Sequence, residues 1–334
     1  MSWLPDRQVP RLGLYFDFRN PEPWRRDPAA YYRWHLDLIC EADRRGLGSV
    51  WVGEHHFVDD GHLPVPLTML AAIAARTERV RLGTAVVVAP LQHPMAVAEQ
   101  AAVVDVISGG RVELGLGAGY VAPEFEAFGA ELAGRYQATD HALGEIGRIF
   151  AQGGCSPRPV QQPVPLWAGY LGPRGAARAG RLGVGLLTHN RDSFGVYRDA
   201  LEESGHGAGA ARMAGVVDFL VADDPEQAWE RIVPHRTHQL NSYRQQAALG
   251  TGRSPRALTA EEVREGRGSG AVGALAILTS AEAAARIAGI CDGLPVEHLY
   301  LWASVGGMPE DLVERQLELI VDEVQPALLA QSAG

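Results

Sequence analysis

The sequence predicts an α/β fold, a (β/α)8 TIM barrel with an insertion loop before the last strand. Three observations carry that expectation. Short apolar runs rich in β-branched residues recur along the chain, as buried parallel strands do. Segments of helical period separate them, so that strand, helix and strand alternate roughly every 30 residues in successive βαβ units. The apolar runs number about eight, the count that closes a barrel; a doubly wound sheet is the rival arrangement.

Arg11 to Phe18 (RLGLYFDF) reads as the first strand, and Asn20-Pro21-Glu22-Pro23 as the loop that leaves it. Asp27-Pro28 is an N-cap followed by proline at the first helical position, and Tyr31, Trp34, Leu38 and Ala42 then fall at helical spacing until Gly46. Ser49 to Phe57 (SVWVGEHHF) is an apolar strand ending in one carboxylate and two imidazoles, and a helix follows over 68–76. Arg79 to Val88 (RVRLGTAVVV) is the third strand. His93 to Ser108 is a helix stopped by Gly109-Gly110, and Arg111 to Leu116 is a strand that runs into the turn GAGY.

The second half repeats the rhythm with strands at 165–169, 184–188 and 213–221, a last strand at Glu297 to Ala303, and helices at 175–183, 193–204, 225–235 and 310–329. The stretch from Thr237 to Val272 is longer than a compact domain gives to a connection and rich in glycine, serine and charge. Such segments are functional lids or surface excursions. The expectation is one domain over residues 1–334 with a mobile lid or insertion at 237–272.

Composition narrows the function. Hydrophobic residues at 46% and charged residues at 21% describe a soluble globular chain, and a formal net charge of -10 disfavours polyanionic partners such as nucleic acid or a membrane surface. All 30 basic residues are arginine, which excludes Schiff-base, pyridoxal phosphate and Walker-lysine chemistry. The three cysteines, Cys40, Cys155 and Cys291, are scattered and point to a reducing compartment without a disulfide framework. With no apolar run of signal-peptide or membrane-span length, the expected location is cytoplasmic.

Three stretches could carry chemistry. Glu54, His55 and His56 stand at the carboxyl end of a strand, where barrel enzymes keep their active sites. Metal ligation is the alternative, although adjacent residues on extended chain point to opposite sides, so His93, His189 or His298 would have to converge with one of the pair. GLGAGY lacks the third glycine of a dinucleotide fingerprint, and its backbone at Gly117, Ala118, Gly119 and Tyr120 instead suits the close approach of a flat ligand. Tyr170 to Ala176 (YLGPRGA) joins a strand to a helix start, so that the Gly172 to Gly175 amides, the helix dipole and Arg174 could face one phosphate; a purely structural turn is the other reading.

These residues resemble the bacterial luciferase-like monooxygenases, through VWVGEHHF, the run LGTAVVVAPLQHPMAVAEQAAVVDVISGGRVELGLGAGY with EFEAFG after it, and LWAGYLGPRGAARAGRLGVGLL. The likeness is close over residues 11–188, fades between 192 and 296, and returns in EHLYLWASVGGMPEDLVERQLELIVDEVQPAL. It implies a TIM barrel that binds reduced FMN at its carboxyl face, with a flavin reductase supplying the cofactor. It also implies oxygenation of a small organic substrate through a flavin hydroperoxide, and association as a homodimer through the alanine-rich second and third helices. In site residues it implies a catalytic His55 with Glu54 and His56 in the same pocket, and a non-proline cis peptide at Ala85-Val86 beneath the flavin. Ala118 stands where relatives carry a phosphate-binding arginine, which leaves the phosphate to Tyr170, Gly172, Arg174 and Gly175. The alternatives are a deazaflavin coenzyme with hydride transfer, and a non-catalytic flavin-binding subunit.

Overall fold

In the computed structural model, residues 9–268 and 273–332 are described. The chain runs through β1 (Arg11–Phe16), α1 (Pro28–Arg44), β2 (Ser49–Val52), α2 (Pro66–Ala74), β3 (Arg81–Thr84), β4 (Val87–Val88), α3 (Pro94–Ser108), β5 (Val112–Gly117), α4 (Ala122–Phe128) and α5 (Arg135–Gln152). It continues with β6 (Leu166–Gly169), α6 (Gly172–Leu182), β7 (Gly185–Leu186), α7 (Arg191–Glu203), β8 (Met213–Val216), β9 (Phe219–Val221) and α8 (Pro225–Ala248). Last come α9 (Ala260–Arg264), β10 (Ala276–Leu278), α10 (Ser280–Cys291), β11 (Val296–Trp302), α11 (Glu310–Leu319) and α12 (Gln325–Ser332).

The strands hydrogen-bond in the order β3-β2-β1-β11-β8-β7-β6-β5, all in parallel, and β5 bonds back to β3 and to β4. β3 and β4 are two pieces of one barrel strand, so the sheet closes on eight staves. The Ala85-Val86 peptide between those pieces is cis, as the resemblance implies. β9 and β10 pair only with each other, outside the barrel. The 213–221 run is therefore two short strands, because the chain turns away from the barrel after Val216.

Sequence chemistry accounts for most of the helix limits. Asp27 accepts a hydrogen bond from Ala30 N at 2.8 Å with Pro28 behind it, and Gly109 ends α3 in the left-handed conformation at φ 68°. The largest correction is to the end of the helix expected over 225–235. α8 continues without interruption to Ala248, straight through Pro234, so the segment expected to be a loop from Thr237 is helical over its first third. One lost backbone bond at proline is offset by the buried inner face of Ile232, Val233, Arg236, Gln239 and Leu240. Residues 269–272 of the expected lid lie outside the described residues.

The lower half of the barrel is solid. Trp51 stacks on Tyr300 with ring centres 4.7 Å apart, and the Trp167 indole donates to Glu113 Oε2 at 2.8 Å. Arg81 pairs with Glu113 and donates to Gln161 Oε1 at 2.9 Å, while Gln161 donates to Asp105 at 2.8 Å. Burial alone would push the Glu113 carboxyl up, but the neighbouring His298, the Arg81 charge and the Trp167 hydrogen bond hold it below the usual range. All three cysteines are free, and no helix of the described residues is long and apolar enough to cross a membrane.

Candidate active site

A cavity of about 640 Å³ opens at the carboxyl end of the strands. Its floor is made by Ala85 and Val86, and two glycines leave room for that floor. A Cβ on Gly117 or on Gly169 would run into the methyl groups of Val86. The GLG and WAG sequences thus let neighbouring strands close around the bend in the third stave.

β2 delivers Glu54 and His55 to the cavity wall. Glu54 is a tether: Oε2 accepts from Val88 N at 2.8 Å and Oε1 faces His56 Nε2 at 2.9 Å, which ties the end of β2 to β4. His56 does not line the cavity. Its ring packs on Phe128, 4.7 Å between centres, and its backbone N–H donates to Glu124 at 2.8 Å. The opposite directions expected for neighbouring residues on extended chain separate the two imidazoles, one facing the cavity and the other facing α4.

His55 stacks on His62, ring centres 4.1 Å apart, and presents its edges to Tyr120 and Tyr243 at 6.2 and 5.6 Å. Behind this stack lies Arg19, 1% exposed, paired with Asp60 at 2.8 Å and set against the Tyr243 ring at 5.1 Å. Burial, then the Arg19 charge and His56, pull the His55 pKa from 6.5 down to about 3, with Asp60 opposing. The imidazole is neutral at physiological pH and offers a lone pair to whatever enters the cavity. His62 is lowered too, by burial and then by His55, and its Nε2 is buried without a partner among the described residues.

The cavity's far wall is α8. Leu240, Tyr243, Arg244 and Ala247 stand at i, i+3, i+4 and i+7, one face of the helix. α8 is held over the mouth by His238 to Asp60 at 2.9 Å and by Arg19 to Ser242.

Gly117, Ala118, Gly119, Tyr120 and Tyr170 all line the cavity together with Ala85 and Val86. Gly172, Arg174 and Gly175 are not among its lining residues, and of that turn Tyr170 and Leu171 reach the cavity. α6 buries Gly175, Ala176, Ala179 and Gly180, and that inward face leaves Arg174 exposed on the other side. The cations that do reach the cavity are Arg135, at the start of α5, and Arg244. Nothing local in the sequence marks either one; both sit in polar stretches that read as surface. Among the described residues no three His, Cys, Asp or Glu side chains come together as a metal site, and His298 lies instead beside Glu113, 3.6 Å from it.

The chain is 33% identical over 154 residues to the oxygenase component of a flavin-dependent trigonelline monooxygenase from Acinetobacter baylyi, covering 41% of this chain and 43% of that protein. It is 29% identical over 225 residues to an F420-dependent glucose-6-phosphate dehydrogenase from Kineococcus radiotolerans, covering 58% and 66%. In sequence it thus spans about half the length of the curated relatives it matches. The crystal structure of the monooxygenase RslO1 from Streptomyces bottropensis superposes with a TM-score of 0.74 at 25% identity, over 95% of this chain and 99% of that one. The family model described as luciferase-like monooxygenase matches residues 12–319, and the chain belongs to that family.

Proposed function

We propose that this chain is a flavin-dependent monooxygenase that takes reduced FMN and dioxygen and oxygenates a small organic substrate. The observation that carries the reading is the mouth cavity itself. A flat floor at Ala85 and Val86, made accessible by Gly117 and Gly169, lies in one pocket with a neutral imidazole and the Arg135 guanidinium, which forms no ion pair among the described residues.

The residues present fit such a cofactor. Among the described residues the buried Nε of Arg135 has no partner, so a guanidinium is available for an anion. It lies beside Tyr136, whose ring is 6.1 Å from Tyr170 at the start of α6, where first-turn amides add their own pull on a phosphate. Ala85, Val86 and Gly117 would bear the flavin ring; Arg135, with Tyr170 and Leu171, would hold the phosphate tail. When bound, reduced flavin supplies the electrons that activate dioxygen. His55 then accepts or shares a proton at the reacting centre through its neutral nitrogen. Tyr15, Tyr120, Tyr243, Tyr300 and Trp302 surround that centre with aromatic surface and keep bulk water away.

The Acinetobacter relative is named as an oxygenase component, which supports a separate flavin reductase as the source of reduced FMN here. The Kineococcus relative is named for F420, and this supports a deazaflavin as the alternative coenzyme. Val103, Val106 and Ile107 form an exposed apolar stripe on α3, which supports a homodimer through that helix. The functional test is an anaerobic titration of the purified chain with reduced FMN and with reduced F420. We expect saturable FMN binding that is at least about tenfold tighter than F420 binding. Preference for F420, or no binding of either, would overturn the assignment.

A further inference from the structure

Two guanidinium groups open onto one cavity, and a flavin mononucleotide brings a single phosphate. Among the described residues neither Arg135 nor Arg244 forms an ion pair, and the Nε atom of each is buried with no partner. Arg135 is held by the Leu132 carbonyl at 3.1 Å and by the Tyr136 ring at 4.6 Å. Arg244 donates only to the carbonyl of Arg256, at 3.2 Å. A buried guanidinium nitrogen without a partner is costly, and an anion placed beside it removes the cost.

The two arginines stand on different elements. Arg135 begins α5 and faces the start of α6 through Tyr136 and Tyr170. Arg244 belongs to the inner face of α8, between Leu240, Tyr243 and Ala247. A guest resting between α8 and His55 therefore meets aromatic and aliphatic surface from Leu240, Tyr243 and Tyr120, and one cation. Two carboxylates near this guest are already engaged: Glu54 by Val88 N and His56, and Asp60 by Arg19 and His238. Asp17, behind Tyr15 and Tyr243, accepts from Arg19 N through Oδ1 only, among the described residues.

We propose that the substrate of this site is a flat, largely apolar carboxylate, with its ring system against Tyr120, Tyr243 and Leu240 and its carboxylate on Arg244. This rests on the flavin reading in one respect, that the phosphate occupies Arg135. Size agrees, since a cavity of about 640 Å³ has room for a bicyclic aromatic beside a flavin ring.

The probes are 2-naphthoate and its neutral analogue 2-naphthamide, titrated calorimetrically into the full chain with and without saturating FMN. Wild type is expected to bind naphthoate at least about tenfold more tightly than the amide, the worth of one charged hydrogen bond. Arg244→Ala and Arg244→Gln should lose that preference, with amide binding and FMN affinity each changed less than about threefold, and Arg244→Lys should recover part of it. Arg135→Ala should weaken FMN and leave naphthoate alone. Equal affinity for the two probes in wild type overturns the proposal. So does a loss of FMN binding in Arg244→Ala as large as in Arg135→Ala, which would give both arginines to the phosphate. If wild type binds no FMN yet keeps an Arg244-dependent preference for naphthoate, the flavin reading fails and the anion site stands.

Discussion

The two ends of the barrel hold similar residues in opposite states. At the amino-terminal end Arg81, Glu113, Trp167, Gln161 and Asp105 satisfy one another at 2.8 to 2.9 Å inside a packed core. At the carboxyl end Arg135 and Arg244 have buried nitrogens without partners among the described residues. The hydroxyls of Tyr15, Tyr120, Tyr243 and Tyr300 likewise make no hydrogen bond among the described residues. Polar groups that bond to one another stabilise the fold; polar groups left open around a cavity are arranged for a guest. The contrast predicts that substitutions below change stability and leave binding alone, and that substitutions above do the reverse.

The largest effect is expected below. Glu113→Ala removes the carboxylate from a half-buried Arg81 and a buried Trp167, and should cost about 3 kcal/mol of stability in urea unfolding, with FMN affinity of the folded protein unchanged. A loss under about 1 kcal/mol would mean that the lower cluster is no more committed to the fold than the upper one. Next comes Arg135→Ala, which should weaken FMN binding by about 1.5–3 kcal/mol and move apo stability by less than about 0.5. Should apo stability fall as far as affinity, Arg135 belongs to the fold instead of to the ligand.

How much of this was legible in the sequence follows from where each signal lives. Strands such as Val50-Trp51-Val52 are buried on both faces, so their apolar runs stand out, and Glu54 and His55 at the end of one of them inherit its position. α5 carries its pattern less openly. Its buried set Thr139, Ala142, Leu143, Ile146, Ile149 and Phe150 has helical spacing, but Gly144 and Gly147 interrupt it with poor helix formers. α8 is harder again, because Pro234 and a polar composition read as the end of a helix, whereas the reason it continues is tertiary, its inner face covering the barrel mouth. Arg135, Arg244 and His62 come from three separate segments and meet only in space. Arg174 falls outside the cavity lining for a related reason: a local turn motif gives the sequence of a cation but not the side of the helix it falls on.

The buried imidazoles give a pH test of the same contrast. His55 is pulled to about 3 and His35 to about 4, both chiefly by burial, while the unfolded chain titrates near 6.5. Between about pH 6.5 and 4 the unfolded state binds more protons, so stability falls as pH falls, by at most about 1.4 kcal/mol per pH unit for each histidine. Asp17, raised to about 6 by burial, acts in the opposite sense over most of that window, from about pH 6 downward, because the folded state keeps a proton that the unfolded chain releases. His55→Gln should flatten the dependence of the urea midpoint on pH in this range, and an unchanged slope would show that the His55 ring is solvated and free to charge. The smallest effect is expected for Tyr243→Phe. Its hydroxyl has no partner to lose, so apo stability should stay within about 0.5 kcal/mol of wild type, and a larger drop would reveal a structural bond at the mouth.

The most direct measurement is a crystal structure of the chain grown with FMN. The flavin ring is expected over Ala85 and Val86 beside His55, with the phosphate on Arg135 at the start of α6. Flavin bound elsewhere, or turned so that its phosphate meets Arg244 beneath α8, would contradict it.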